Sequence, residues 1–406
     1  MTASTSPEAR LLSGIRVLDL SWYLAGPFCT KLLADYGADV VKVEAPGVGD
    51  PARRLGPFAS DAPGDERGLT FAYLNANKRG ITLDLHTTRG RAILMEMARQ
   101  FDIVVESFAP GTMKSWGLRY EELARHRPGL VLTSITNFGQ TGPYKDYKAS
   151  HIVFCATGCW MHGLGNPEGP PLQSAGWISH YVIGATAAMA TMAALLVRDA
   201  TGRGQHVDIS GQEAMVETVA YDIVDYTSTG QPRPRRSTQV VPGPTRCKDG
   251  WVGLQALSLR NWQRLCQLMD TEDLLQDPRL NTGQGRIEHA KMIRVRATEW
   301  AKDRTKQDII HRGLEMGCTV ATISTPQDVT ELPVHRERRF LAQVEHPVIG
   351  KMVTPGYLFR VLENDQYRSP QWRPAPLLGQ HNAEVFGEML KYSPAGLTDL
   401  RQAGVI

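Results

Sequence analysis

The chain has 406 residues, 42% hydrophobic and 21% charged, with 45 Lys and Arg against 42 Asp and Glu for a formal net charge of +3. That length exceeds one small core and predicts two domains. The near balance of charge, without a Lys/Arg block, excludes a nucleic-acid surface but leaves room for a small polyanionic ligand held by a few placed cations.

No run approaches about 18 consecutive apolar residues, which argues against a membrane span. The opening MTASTSPEAR lacks a basic region followed by an apolar one and reads as a short disordered arm. Cys29, Cys155, Cys159, Cys247, Cys266 and Cys318 are scattered, so buried free thiols in a reducing, cytoplasmic setting are expected, with no metal.

In chain order, Ile15 to Leu20 reads as a short apolar strand, followed by the loop Ser21 to Pro27, a helix from Phe28 to Tyr36 and a second strand from Asp39 to Glu44. This is a βαβ unit whose first loop lies where open α/β sheets bind ligands. It carries no G-x-G-x-x-G, so a nicotinamide or flavin cofactor has no support. Strands at Ile81 to Leu85, Phe101 to Glu106 and Leu130 to Ile135 alternate with helices at Thr88 to Gln100 and Tyr120 to Ala124, which predicts a doubly wound parallel sheet.

An Ala-rich helix follows, with His180 near its start and Gly184 inside it. The turn Thr201-Gly202-Arg203-Gly204 then leads to the strand Gln205 to Ile209. Gln231 to Arg236 is a Pro/Arg linker. Beyond it, residues 225 to 330 read as a smaller α/β domain with helices at Asn261 to Asp270, Arg286 to Ala301 and Lys306 to Met316. A terminal helix is expected from Asn382 to Leu390.

Several phrases taken together resemble the class III coenzyme A transferases. In order they are LSGIRVLDLSWYLAGPFCTKLLADYGADVVKVEAPGVGDPAR, LNANKRGITLDL, VVESFAPGTM, FGQTGPYKDYKA, the Ala-rich helix with TGRGQHVDIS, CKDGWV and APLLGQHNAEVF. The resemblance implies a large Rossmann-like domain built from both chain ends (1–224 and 331–406), a small domain between them (225–330), and two interlocked subunits. It also implies a covalent reaction: an aspartate attacks a donor thioester, passes through mixed anhydrides and an aspartyl-CoA thioester, and returns CoA to an acceptor acid. No cofactor is implied; the CoA thioester is substrate.

The family's aspartate lies four residues before the glycine that opens the Ala-rich helix, and that register falls on His180. No Asp or Glu occurs from Pro170 to Val197, so no slip of register recovers the nucleophile. A family acidic position falls on His151, a first-loop glutamine on Leu24, and two arginines that hold CoA phosphate on Ala45 and Ser115. Leu74, Asn77, Phe108 and Lys148 stand at positions expected to contact CoA. Lys78 and Arg79 read equally as surface charges or phosphate contacts.

Two readings of His180 follow. It fills space and hydrogen-bonds locally, or it acts with His151 as an acid–base pair. On the first, the chain resembles the aspartate-lacking subunits of heteromeric members, such as those acting on benzylsuccinate in toluene degradation, and a homologous partner subunit supplies the nucleophile. On the second, it is a homodimeric racemase- or lyase-like enzyme of CoA esters. A regulatory homologue without turnover is a third possibility.

Overall fold

The computed structural model describes residues 10–232, 235, 241–363, 366–367 and 372–406. Residues 1–9 of the leader and half of the Pro/Arg stretch fall outside them. Two compact units are present: Met1–Leu164 with Pro171–Arg233 and Leu341–Ile406, and Gly165–Pro170 with Pro234–Phe340.

The larger unit is built on six strands: β1 (Arg16–Asp19), β2 (Asp39–Glu44), β3 (Arg79–Thr82), β4 (Ile103–Glu106), β5 (Val131–Thr136) and β6 (His206–Ser210). They form one all-parallel sheet in the order β3-β2-β1-β4-β5-β6, with Leu18 opposite Val41 and Val104. The strands are apolar on both sides because both faces are covered. Leu18, Val41, Val104 and Leu132 pack on one face with Met97, Phe386 and Leu400, while Val17, Val40, Ile103 and Val131 pack on the other with Leu33, Ile183 and Ala187.

The helices of this unit include, in chain order, α1 (Ala25–Asp35), α2 (Thr88–Ala98), α3 (Tyr120–His126), α4 (His151–Thr157), α5 (Ile178–Thr201), α6 (Gly211–Glu217) and α7 (Ala220–Thr229). The third strand sits two residues earlier than its apolar run suggests. Leu83 N–H still donates to Glu44 O, but Asp84 N–H turns away to Val405 O near the chain's end, and the ladder stops there.

α5 is the Ala-rich helix. With 24 residues and a mean hydropathy of 1.6 it is long and apolar enough to cross a membrane, a property that a search for unbroken apolar runs does not register. It packs instead on α1 and the sheet through Ile183, Gly184, Ala187, Ala188, Thr191, Ala194 and Leu195. Gly184 makes this possible: a Cβ there would lie 2.4 Å from Ala25 O. Gly202 ends the helix at φ 73° as its C-cap and returns an N–H to Arg198 O.

The smaller unit has a three-stranded antiparallel sheet of β7 (Pro242–Cys247), β8 (Gly250–Gln255) and β9 (Thr319–Thr322), packed by Trp262, Leu265, Ile293 and Ile309. The helix expected over residues 286–301 is two helices, Gly283–Glu288 and Ala290–Ala301, meeting at His289. The helix expected over residues 382–390 is one α-turn, Asn382–Glu384, continued by a π-turn over Val385–Met389, and it is not the last: a further helix, Pro394–Gln402, follows it.

Candidate functional site

The first loop, between β1 and α1, is held from beneath by buried charge. Asp19 pairs with Lys78 at 3.0 Å and accepts from Thr30 and Ser21. Lys42 pairs with Asp50 at 2.8 Å and donates to Ser21 O. Asp50 in turn accepts the Tyr23 N–H at 3.0 Å, which holds Tyr23 in a left-handed conformation, φ 72°. Groups buried in this way persist because each charge has a partner and further hydrogen bonds. Lys78 is therefore a structural counter-ion, pushed down to about 8 by burial. Arg79 pairs with Asp39 and Glu384. Lys78 spends all three ammonium hydrogens, on Asp19, Pro27 O and Asn75 Oδ1, and the charge of Arg79 is shared between two carboxylates.

Against this loop stands the first turn of α5. His180 is 7% exposed and sits edge-to-face to three rings: Tyr23 at 5.6 Å, Phe154 at 5.6 Å and Trp177 at 5.8 Å between centroids. His151, from the first turn of α4, lies 6.3 Å away ring to ring.

A hydrogen-bonded chain joins the two imidazoles. His151 Nε2 is 3.1 Å from Ser174 O, which only accepts, so that nitrogen carries a proton. A neutral His151 then accepts at Nδ1 from Ser179 Oγ, at 2.7 Å, and Ser179 Oγ accepts from His180 Nδ1 at 3.3 Å. The tautomers follow from these partners, and they leave the lone pair of His180 on Nε2. Burial in the aromatic box, with His151 beside it, pushes the His180 imidazole down to about 4. At neutral pH it is uncharged. Among the described residues no carboxylate pairs with either histidine, and no three His, Cys, Asp or Glu side chains stand close enough together to hold a metal ion.

The other sequence-derived positions separate. Leu74 is fully buried with Leu24 and Phe28, so the first-loop position where a glutamine was expected has become core. Asn77, at φ 67°, is 5% exposed and spends both ends of its amide, donating to Asp35 Oδ1 at 2.8 Å and accepting Arg373 N–H at 2.8 Å. It ties the C-terminal segment to the sheet. Lys148 is exposed in the segment ahead of α4.

Phe108 and Ala45 do share a cavity, at the C-terminal ends of β1 to β4, which Trp22, Trp116, Asp84 and His86 also line. Sequence reasoning passed over those four. The rule that open parallel sheets bind ligands beyond the strand ends where strand order reverses was the signal that could have found them. Glu106, which ends β4, was also missed. Burial pushes its carboxyl up to about 7, although Ser134 and the Phe108 N–H bond to it.

Comparison with known proteins agrees with this architecture. The chain is 34% identical to the succinyl-CoA–D-citramalate CoA-transferase of Chloroflexus aurantiacus, covering 99% of this chain and 100% of that one. It is 30% identical to the alpha subunit of the succinyl-CoA–L-malate CoA-transferase of the same organism, covering 100% and 95%. Its fold matches the crystal structure of a CAIB/BAIF family protein from Brucella suis with a TM-score of 0.83 at 26% identity, over 94% of this chain and 99% of that one. The profile of CoA-transferase family III matches residues 12–382. The chain therefore belongs to CoA-transferase family III.

Proposed function

We propose that this chain is the nucleophile-free subunit of a heteromeric CoA-transferase. A homologous partner subunit carries the aspartate and moves CoA from a donor thioester such as succinyl-CoA to a carboxylic acid. The observation that carries this reading is the neutral, box-enclosed His180 at the aspartate position. An imidazole cannot form the acyl anhydride on which carboxylate-based CoA transfer depends, because it has no carboxyl oxygen to acylate.

Two further observations support it. A relative at 30% identity is named as an alpha subunit. Met189, Leu196, Val224 and Tyr226, on α5 and α7, are also more than half exposed, an apolar surface suited to a second chain. Benzylsuccinate is a candidate acceptor, beside the citramalate and malate of the relatives. The cytoplasm is the matching compartment.

The homodimeric acid–base reading is weaker. Both ring nitrogens of His151 are engaged, one by Ser174 O and one by Ser179, so it has no free position from which to exchange a proton with a substrate.

The test is to express the chain alone and with its genomic neighbour, then measure oligomeric state and CoA transfer from succinyl-CoA. The complex should be active, should lose activity when the partner's aspartate is removed, and should keep it with His180→Ala in this chain. Active homodimers of this chain alone refute the proposal. Loss of α-proton exchange on His180→Ala would instead establish the acid–base reading, and a complex without turnover the regulatory one.

A further inference from the structure

A second cavity, of about 320 Å³, adjoins the one at the ends of β1 to β4 and shares only Ala109 with it. The chain just after β4 is the partition between them: Phe108, Thr112 and Trp116 face the first cavity, while Pro110, Met113 and Lys114 face the second. The remaining walls come from β4, β5, the start of β6, the start of α3 and the loop after β5.

The buried end of this second cavity is a carboxyl without a counter-ion. Glu106 is 2% exposed, and among the described residues it forms no ion pair, whereas the buried Asp19, Asp35, Glu44 and Asp50 each face a lysine or arginine. Its partners are the Phe108 N–H, at 2.7 Å, and the Ser134 hydroxyl. Desolvation first, and the neighbouring Asp208 to a smaller extent, hold its carboxyl up at about 7. Ser134 Oγ also lies 2.9 Å from Nε2 of His206, an exposed imidazole stacked on Tyr120, so a hydrogen-bonded path joins the buried carboxyl to solvent.

The open end is cationic. Lys114 is exposed and, among the described residues, in no ion pair; Arg119 and Lys145, flanked by Glu122 and Asp146, line the cavity beside it. Glu121 is the only acid among the exposed lining residues. Met113 and Leu132, both buried, add apolar wall. Such a wall takes an aliphatic stem and the cations take a carboxylate. The uncompensated carboxyl takes a second carboxylate by sharing one proton with it, since two carboxyls at close range do not both ionise.

We propose that this cavity binds a small aliphatic dicarboxylic acid, one carboxylate among Lys114, Arg119 and Lys145 and the other against Glu106 and Ser134, with one proton taken up from solvent and held between the two carboxyls. The site needs neither the nucleophile nor the partner subunit, and it does not rest on the subunit reading.

The experiment is isothermal calorimetry on the full-length protein with succinate, butyrate and inorganic phosphate at pH 6 and pH 8, and with CoA as a competitor. Succinate should bind about tenfold more weakly at pH 8, because Glu106 passes from mostly protonated to mostly ionised across that interval. At pH 8 its binding should take up close to one proton, read from the heats in two buffers of different ionisation enthalpy. Butyrate, with a single carboxylate, and phosphate should bind more weakly than succinate. Glu106→Gln should level the pH dependence. His206→Gln should keep it, which separates Glu106 from the one other group at this cavity that titrates near neutrality. Lys114, Arg119, Lys145, Tyr120, Glu121 and Asp208 hold their charge between pH 6 and pH 8, and the ionisation of succinate itself is common to every variant. Lys114→Ala should weaken succinate by about threefold or more at both pH values.

Absence of succinate binding, or binding that is the same at pH 6 and pH 8, overturns the proposal. So does a Glu106→Gln protein that keeps the pH dependence, or a Lys114→Ala protein of unchanged affinity. Phosphate or butyrate binding as tightly as succinate, or CoA displacing succinate, overturns it as well. None of these readouts depends on turnover, so their failure is distinct from failure of the subunit reading.

Discussion

Replacing His180 with Gln tests the buried imidazole through pH. The fold holds His180 neutral down to about pH 4, whereas an unfolded chain protonates it near 6.5. Between those values the unfolded state binds more protons, so this group's contribution to stability is fully present above about 6.5 and is lost as pH falls toward 4. A shift of about 2.5 units corresponds to a limiting value of about 3 kcal/mol, of which about 2 kcal/mol is lost between pH 7 and pH 4.5. His180→Gln removes the titration and keeps a polar side chain of similar length. Urea unfolding of both proteins across pH 4.5 to 7 should show the variant losing about 2 kcal/mol less than the parent on acidification. His206, His346 and His381, also pushed down by burial, contribute to both curves and cancel in the difference. Parallel curves would refute the assignment of His180 as the neutral, desolvated member of the site.

Glu106 runs the opposite way. Its carboxyl is raised to about 7, so the fold binds the extra proton between pH 4.5 and 7 and stability falls as pH rises through that window; Glu106→Gln should be the more stable protein at pH 8 by about 2 kcal/mol in the same unfolding assay. Gly184→Ala would gain about 1 kcal/mol in an open helix. Here its Cβ meets Ala25 O at 2.4 Å and Phe28 at 3.1 Å, so calorimetry should show a net loss of about 1 to 3 kcal/mol. Asn77→Gly keeps the left-handed backbone but removes both amide bonds; hydrogen exchange at the Arg373 amide should accelerate at least tenfold, with a cost of roughly 1 to 3 kcal/mol.

Much of this architecture is legible in the residues because its signals are local. The parallel strands announce themselves as apolar runs such as Asp39–Glu44, whose neighbours cover both faces. Gly202 marks the end of α5 through the left-handed cap that only glycine adopts at little cost. What escapes is set by distant partners. β3 ends early because Asp84 bonds near the C-terminus, more than three hundred residues on. Asn77 and Lys78 look like ligand contacts in a polar loop, yet Asp35, Asp19 and Arg373 consume their donors and acceptors. The resemblance located His180 and His151, and they do meet. The box that Tyr23, Phe154 and Trp177 build with Ser179 could not be read from spacing, because these residues come from three separate segments of the chain.

That enclosure also decides what restoring the acid would do. His180→Asp places a carboxylate where desolvation already costs a charged imidazole about 2.5 pH units. Burial opposes either sign of charge, so the new carboxyl should rise from its usual value near 3.9 to roughly 6, leaving it easily protonated and poorly ionised as a nucleophile. His151, which adds to the depression of the imidazole, acts the other way on a carboxylate, but it is engaged at both nitrogens, and the only other polar neighbour among the described residues is Ser179. The shorter side chain also vacates the contacts with Tyr23, Phe154 and Trp177, which opens a void of the kind that costs a few kcal/mol. The expected outcome is a destabilised chain that transfers CoA from succinyl-CoA at less than about 1% of the rate of the complex and shows no acyl or CoA adduct by intact-protein mass spectrometry. Robust transfer by the His180→Asp chain alone would mean that the box tolerates an ionised nucleophile. The loss of the aspartate would then be a single reversible exchange in an otherwise working site. Its failure, together with the Leu24 position turned to core, would instead mean that the surroundings of the nucleophile have been rebuilt around its absence.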